Sequence, residues 1–272
     1  MDYWGDVWRV ALGRIAQGIM RVRGLPGGLR LAGGVLSLLP EGVAVLRDRS
    51  GTDYFVHFES HVGNALLSRM WCEPSVVELA KRELNGLEAP TIVDVGANAG
   101  TFSLPLVSQA ERVTLVEADS HLTELLRKTI DYNGLDNVEI LNCAVTNAEE
   151  QEVSFYRTNK LKDLSSLKED HIDGRDQYTE TQVKALTLEE VLETIREETV
   201  DLLKIDIEGM TSEAILSLGC KAEDVSVIIA EPDEDVEEAT CFLEKRGFSA
   251  STPLAHRTEL SYHTRETLLF RQ

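Results

Sequence analysis

Four short stretches carry residue types at spacings that suit chemistry: Asp94-Val-Gly-Ala-Asn-Ala-Gly100, Glu117, Asn142-Cys-Ala-Val145 and Lys204-Ile-Asp-Ile-Glu-Gly209. The first follows an apolar run beginning at Thr91. Gly96 lets the backbone turn sharply and removes the Cβ that would keep a ligand away. Asn98 stands where many ligand loops have a second glycine, and asparagine is the residue that next best tolerates a left-handed conformation. A helix expected over residues 101–109 would aim its N–H groups and dipole at an anionic group in the cradle formed by Gly96, Ala97, Asn98, Gly100 and Thr101. Asp94, at the strand end, can accept from an amino group. Glu117 ends a second strand, 23 residues after Asp94, where a carboxylate beside Ala118 can accept both hydroxyls of a ribose. Asn142, Cys143 and Ala144 lie just past a third strand, where backbone and small side chains frame a nucleobase. Asp206 and Glu208 end a central strand beside the expected methyl group and are both catalytic candidates; Asp206 also borders the cofactor and can orient an acceptor or take its proton. Glu231, before Pro232, ends the next strand at the same edge.

A dinucleotide loop needs G-x-G-x-x-G to bring backbone against a pyrophosphate. Here Asn98 and Thr101 occupy the second and third glycine positions, which fits poorly. S-adenosylmethionine has no phosphate, so a less glycine-rich loop suffices, and it is the expected cofactor. Nicotinamide sites also use an acidic residue like Glu117, so a nucleotide-dependent oxidoreductase stays open. A non-catalytic S-adenosylmethionine-binding module stays open too, because no base is unambiguous. Of the six histidines, His57, His61, His121, His171, His256 and His263, the first two rank highest as bases because they precede the cofactor segment, where substrate caps often lie. No His/Asp/Glu spacing demands a metal. The four cysteines are far apart without a C-x-x-C pair, so reduced thiols are expected rather than a zinc site or a disulfide framework.

The elements that must position these residues alternate from residue 90 onward. Strands are expected over 91–95, 112–117, 137–141, 201–206 and 225–231, and helices over 120–133, 211–218 and 234–246. Such alternation makes a mostly parallel sheet with helices on both faces, an α/β Rossmann-like domain. Strands at 151–157 and 181–186 flank a charged loop, together an insertion over 150–186, and the last strands fall at 248–252 and 266–270. Thr187 with Glu190 forms a capping box. Before the domain, residues 43–48 and 53–58 read as a hairpin about Arg49-Ser-Gly51, and a helix follows from Pro74 to Leu84. The division expected is an extension over 1–70 and a cofactor domain over 71–272.

Residues 1–23 stand apart. Trp4, Val7, Trp8, Ala11, Leu12, Ile15, Ile19 and Val22 recur at helical spacing, with Arg9, Arg14, Arg21 and Arg23 mostly outside the stripe. Such a helix packs on its own domain or on a second copy of the chain, or it serves as a lid or lies in a membrane interface. In the last case it would carry the chain to a lipid-linked glycan at the inner membrane face. The net charge is -20, which repels phosphate backbones and argues against a nucleic-acid substrate. Arginines outnumber lysines two to one within an acidic composition, as expected of a high-salt cytoplasm, where salt screens self-repulsion. No apolar run reaches the ~20 residues that span a bilayer and no secretory signal is visible, so a cytoplasmic protein is expected.

Taken together, Glu73-Pro74, Ile92 to Gly100 with Thr101-Phe102-Ser103, Ser165-Ser166, Thr187-Leu-Glu-Glu190, Leu203 to Gly209 and Ile228-Ile-Ala-Glu231 resemble the FkbM family of S-adenosylmethionine-dependent methyltransferases in order and spacing. The resemblance covers roughly residues 70–235. It implies a class I methyltransferase sheet with an antiparallel C-terminal strand, and O-methylation of hydroxyls on sugars, uronic acids or other small molecules. It also marks Ser165, Ser166 and Glu231 as substrate-side residues. One departure is that the family's Glu-Gly-Ala-Glu becomes Glu208-Gly-Met-Thr211, with the second acid displaced to Glu213. The motifs of base N-methylation and cytosine C5 methylation are absent.

Overall fold

The computed structural model describes all residues except 1–2, 23–26, 69–73, 148–149, 159–164, 168–177, 196–197, 208, 234–235 and 258–263. Helices α1 (Tyr3–Met20) and α2 (Gly28–Leu36) cover an antiparallel hairpin of β1 (Val43–Arg47) and β2 (Asp53–His57). The hairpin turns because the Asp48 carboxylate accepts the N–H groups of Gly51 and Thr52 at 2.9 and 3.0 Å. The apolar stripe of α1 is split: Leu12 and Ile19 pack against the core shared with the hairpin, while Val7, Trp8 and Ile15 are exposed. Gly13, Ala16 and Gln17 make the close contact: a Cβ on Gly13 would lie 2.1 Å from the Val45 carbonyl oxygen. The buried Gln17 amide donates to the Arg47 and Leu66 carbonyls at 2.8 and 3.0 Å and accepts from the Arg47 N–H. An edge strand leaves backbone groups open, and a side-chain amide that donates and accepts satisfies them.

The other edge of the hairpin is held by α5 (Ser120–Asn133), across the gap that α3 (His61–Leu67) and α4 (Pro74–Glu83) bridge in sequence. The Phe55 N–H donates to Thr129 Oγ1 at 3.0 Å, and Asn133 exchanges two hydrogen bonds with the Asp53 backbone. Four helical residues rise about 6.0 Å and two strand residues about 6.6 Å. Residues 53, 55 and 57 therefore run alongside 133, 129 and the first turn of α5.

The main sheet has the order β12-β13-β11-β10-β3-β4-β5. From the middle outward, β3 (Thr91–Val95), β4 (Arg112–Glu117) and β5 (Val138–Asn142) are parallel. On the other side lie β10 (Val200–Ile205) and β11 (Val225–Ala230), also parallel. β13 (Thr264–Arg271) enters antiparallel between β11 and β12 (Ser249–Arg257). Between β5 and β10 the chain builds a second sheet from β6 (Ala144–Val145), β7 (Glu152–Thr158), β8 (Ser165–Ser166) and β9 (Tyr178–Leu186). Helices α6 (Leu188–Thr194), α7 (Thr211–Leu216) and α8 (Val236–Glu244) complete the second half. One face of the sheet shares its core with the N-terminal layer, where Ala16, Leu36, Leu46 and Tyr54 join Ile92, Leu115 and Leu126. The opposite face packs β3, β10 and β11 against α6, α7 and α8.

One local expectation is corrected. Residues 101–103 are turns and Leu104–Gln109 is a 3-10 helix, so no α-helix begins at the Asp94–Gly100 loop. Pro105 at the start removes a donor that an α-helical continuation would use. The loop is accordingly held by side chains and short turns, not by a helix dipole.

Candidate functional site

Strands β3, β4 and β10 end side by side, which brings Asp94, Glu117 and Asp206 to one edge. Parallel register sets Lys204 directly opposite Asp94. The Lys204 ammonium donates to Asp206 Oδ2 at 2.8 Å, lies 3.8 Å from Asp94 Oδ1 and sits 5.2 Å from the Phe102 ring centre. One buried cation thus serves two carboxylates, which makes their close approach tolerable. Ser103 donates to Asp94 Oδ2 at 2.7 Å. Burial pushes the Asp94 carboxyl above the usual carboxylate range, opposed by Lys204 and Ser103 and reinforced by Asp206. Asp94 Oδ1 is buried and has no hydrogen-bond partner among the described residues, so it remains an acceptor for a donor from outside the chain. The three side chains differ in exposure: Asp94 0%, Lys204 5% and Asp206 20%.

The loop between β3 and β4 is shaped by conformations that suit few residues. Gly96 has φ 80° and Asn98 φ 50°. A Cβ on Gly96 would lie 2.0 Å from the Asp206 carbonyl oxygen, so only glycine lets this loop lie against the end of β10. The N–H groups of Gly96 and Ala97 both donate to the Val116 carbonyl. Ala97 is buried, Asn98 half-buried, and Thr101 sits half-buried in the turn after Gly100.

Glu117 is buried at the end of β4. Its Oε2 accepts from the Asn98 N–H at 2.8 Å and its Oε1 from the Asp119 N–H at 2.9 Å. Burial pushes its carboxyl up to about 7, because desolvation outweighs those two hydrogen bonds. A carboxylate offers about four acceptor sites, so each oxygen retains capacity for a hydroxyl. The Asn142 side chain donates to the Glu117 and Ala118 carbonyls at 2.8 and 3.0 Å and fixes the turn that presents both. Cys143 is buried, its thiol pushed up to about 11 by burial, which makes it an inert packing group. Ala144 is locked by β6 against Ala185.

His57, at the end of β2, is buried with its Nε2 2.5 Å from His121 Nε2, and the two rings stack with centres 4.8 Å apart. His57, Ser60, Asn98, Ala99 and Leu122 line one cavity, so the extension closes over the Asp94–Gly100 loop. His61 is exposed at the first position of α3, and none of the described hydrogen bonds or ion pairs joins it to the carboxylates. Glu231 follows β11 and its N–H donates to the Ile205 carbonyl at 3.1 Å. Backbone pairing puts Ser165 and Ser166 opposite Arg157 and Tyr156, while their side chains, like Glu208, lie outside the described residues. Sequence reasoning missed two participants. Lys204 had a signal, a lysine inside an otherwise apolar strand two residues before Asp206. His121 had a weaker one, its place just after the Glu117–Asp119 turn.

A buried unpaired acceptor on the first strand, a buried carboxylate on the second and a glycine-tight loop between them fit a ligand with one ammonium and a ribose. With antiparallel β13 inserted beside β11, this is a class I S-adenosylmethionine-dependent methyltransferase. Residues 94–258, more than half of the chain, match the family model for the methyltransferase FkbM domain, and the chain belongs to that family. S-adenosylmethionine is its cofactor. A segment of 51 residues is 35% identical to a probable ribosomal RNA small subunit methyltransferase A of Methanosphaera stadtmanae, covering 19% of either protein; the chain thus spans about a fifth of that relative. Among solved structures it is similar to the methyltransferase FkbM of Methylobacillus flagellatus, at 17% identity and TM-score 0.48 over 78% of this chain and 52% of that one. It is also similar to the precorrin-6y C5,15-methyltransferase of Geobacter metallireducens GS-15, at 14% identity and TM-score 0.44 over 73% and 89%.

Proposed function

We propose that the chain methylates a hydroxyl oxygen of a small molecule or glycan, with a sugar or uronic acid as the acceptor class. The observation that carries this reading is the graded exposure of the three-charge cluster: Asp206 alone reaches solvent appreciably, at 20%, so it is the group an acceptor hydroxyl can meet. When bound, the cofactor supplies an electrophilic methyl group on a cationic sulfur. In this reading Asp94 takes the cofactor's ammonium on its open Oδ1, Glu117 takes the ribose hydroxyls, and Gly96 to Thr101, Ala118, Asn142, Cys143 and Ala144 line the rest of its site. Asp206 orients the acceptor hydroxyl and takes its proton, and Lys204 holds that carboxylate in place. Holding the acceptor oxygen in line is worth more than the proton transfer, since proximity supplies up to about 7–11 kcal/mol. Glu231, whose N–H pairs with the Ile205 carbonyl at the end of β10, and Ser165 and Ser166 serve the acceptor side in this reading.

The net charge of -20 supports a non-nucleic-acid acceptor, because such a surface repels phosphates. The relative named for ribosomal RNA matches over too short a stretch to weigh against that. The test is methyl transfer from labelled S-adenosylmethionine to a glycan extract and to ribosomal RNA. Labelled glycan, lost in Asp206→Asn with cofactor affinity retained, supports the reading. Labelled RNA alone, or undiminished transfer by Asp206→Asn, overturns it.

A further inference from the structure

The packing of α1 leaves an unusual surface. The helix meets the hairpin through Gly13, Ala16 and Gln17, each buried or in contact with backbone. Its outward side is apolar too: Val7, Trp8 and Ile15 are exposed, and Val22 just beyond the helix is exposed as well. On the neighbouring α2, Leu29 and Leu31 are exposed too, on different sides of the helix because residues two apart do not share a face, and Leu38 follows it. The exposures are high for such large side chains, 62% for Trp8 and 74% for Leu38. Single exposed apolar residues are ordinary, but seven large ones on and beside two packed helices are of the kind that marks an interaction site.

Charge identifies the occupant. Residues 1–40 carry five arginines and two aspartates in a chain of net charge -20; Arg9 and Arg14 pair with Glu41 and Asp53 and are not part of the outward face. Arg21 at the end of α1 and Arg30 in α2 are exposed beside the apolar residues. A second copy docking by the same face would set these arginines against their own kind and bring two strongly acidic bodies together. An anionic surface is complementary instead. The acidic remainder is repelled only where it comes within a Debye length, about 8 Å at physiological salt. No helix among the described residues is long and apolar enough to cross a membrane. A helix pair with tryptophan and leucines on one side and arginines at its margin has the composition of an element that lies in the interface plane.

We infer that the outward face of α1 and α2 docks the protein on an anionic phospholipid bilayer, with Trp8, Ile15, Val22, Leu31 and Leu38 entering the headgroup layer and Arg21 and Arg30 meeting phosphates. This goes beyond the methyl-transfer reading and does not rest on it. The cofactor edge is built by β3, β4 and β10, so the bilayer contact and the methyl-transfer site are separate surfaces of one molecule.

The experiment is flotation of the full chain with vesicles of equal parts phosphatidylcholine and phosphatidylglycerol, beside vesicles of phosphatidylcholine alone. Wild type floats with the anionic vesicles. The Trp8→Glu/Ile15→Glu variant loses binding by about tenfold or more, whereas Leu87→Glu, which changes an exposed apolar residue elsewhere, binds as wild type. Melting temperature and S-adenosylmethionine affinity are measured on every variant to show that each is folded. Independently of the double variant, lipid with brominated acyl chains quenches wild-type tryptophan fluorescence, and Trp8→Phe removes most of that quenching. Absence of wild-type flotation, equal flotation of the double variant, or quenching unchanged by Trp8→Phe overturns the proposal. So does a dimer in sedimentation equilibrium without lipid that the double variant converts to monomer, since a second copy then covers the face.

Discussion

The carboxyl edge of the sheet and the N-terminal helical layer depart from ordinary burial in opposite senses. At the edge, Asp94, Lys204 and Glu117 are charged groups withdrawn from water. In the layer, Trp8, Ile15 and Leu38 are apolar groups left in it. Both arrangements cost free energy in the isolated chain, since buried charge and exposed large apolar surface are each unfavourable. Yet the two regions are secured by the same device, a glycine pressed against a carbonyl oxygen: Gly96 on Asp206 and Gly13 on Val45. The comparison teaches that the scaffold is tightly specified where it positions these residues, and that the groups themselves are complementary to something outside the chain. At the edge that partner is a small polar cofactor. In the layer the partner we infer is an anionic bilayer.

The largest expected effect comes from removing the cation that lets the edge exist. Lys204→Met leaves two carboxylates facing each other with no counter-charge, and stability falls by about 3–5 kcal/mol, read as a lowered urea midpoint. Gly96→Ala follows, at about 3 kcal/mol or more, because it forces both a positive φ and a backbone clash. Gly13→Ala tests the layer in the same way. It pushes α1 off the hairpin and lowers the melting temperature while leaving S-adenosylmethionine affinity within about threefold of wild type, as expected if the two regions are separable.

The next effect is on pH. Glu117 titrates near 7 when folded, against an ordinary value of 4.5. A raised folded value means the native state holds the proton more tightly. Its contribution to stability is therefore present below pH 4.5 and is lost as pH rises through about 7. Ribose hydroxyls donate to the ionised form, so cofactor affinity moves the other way, rising between pH 6 and 8 by at most about tenfold per unit. Glu117→Gln flattens both trends, measured by unfolding and by calorimetry. Smallest is the effect of salt. The -20 net charge makes melting temperature rise with ionic strength as repulsion is screened, and neutralising surface acids reduces the slope.

Much of this was legible in sequence because its signals are local. An apolar run followed by Asp94-x-Gly96 marks a strand and its turn, and the 23-residue spacing to Glu117 marks the next strand end. Asp119 and Gly134 cap α5 at its two ends, and Thr187 with Glu190 forms its box in the structure. What escaped depends on register or on packing choice. Lys204 acquires its role only when β10 lies parallel to β3 with Asp94 opposite. His57 and His121, 64 residues apart, meet only because the edge of β2 bonds to Thr129 and Asn133. Helical periodicity located the apolar stripe of α1 but not which side packs. That was decided by Gln17, whose amide answers the open backbone groups of Arg47 and Leu66, and by Gly13, which alone allows the close approach. After the Asp94–Gly100 loop, Pro105 removes an amide donor, and the segment Leu104–Gln109 winds as a 3-10 helix where periodicity alone reads as an α-helix.

The most direct test of the central claim, that the carboxyl edge of this sheet is the cofactor site with Glu117 on the ribose, is calorimetric titration of S-adenosylmethionine into wild type and Glu117→Ala. One site per chain is predicted for wild type, with affinity about 30-fold or more weaker in a variant that remains folded. Equal affinity in a folded variant would contradict the assignment.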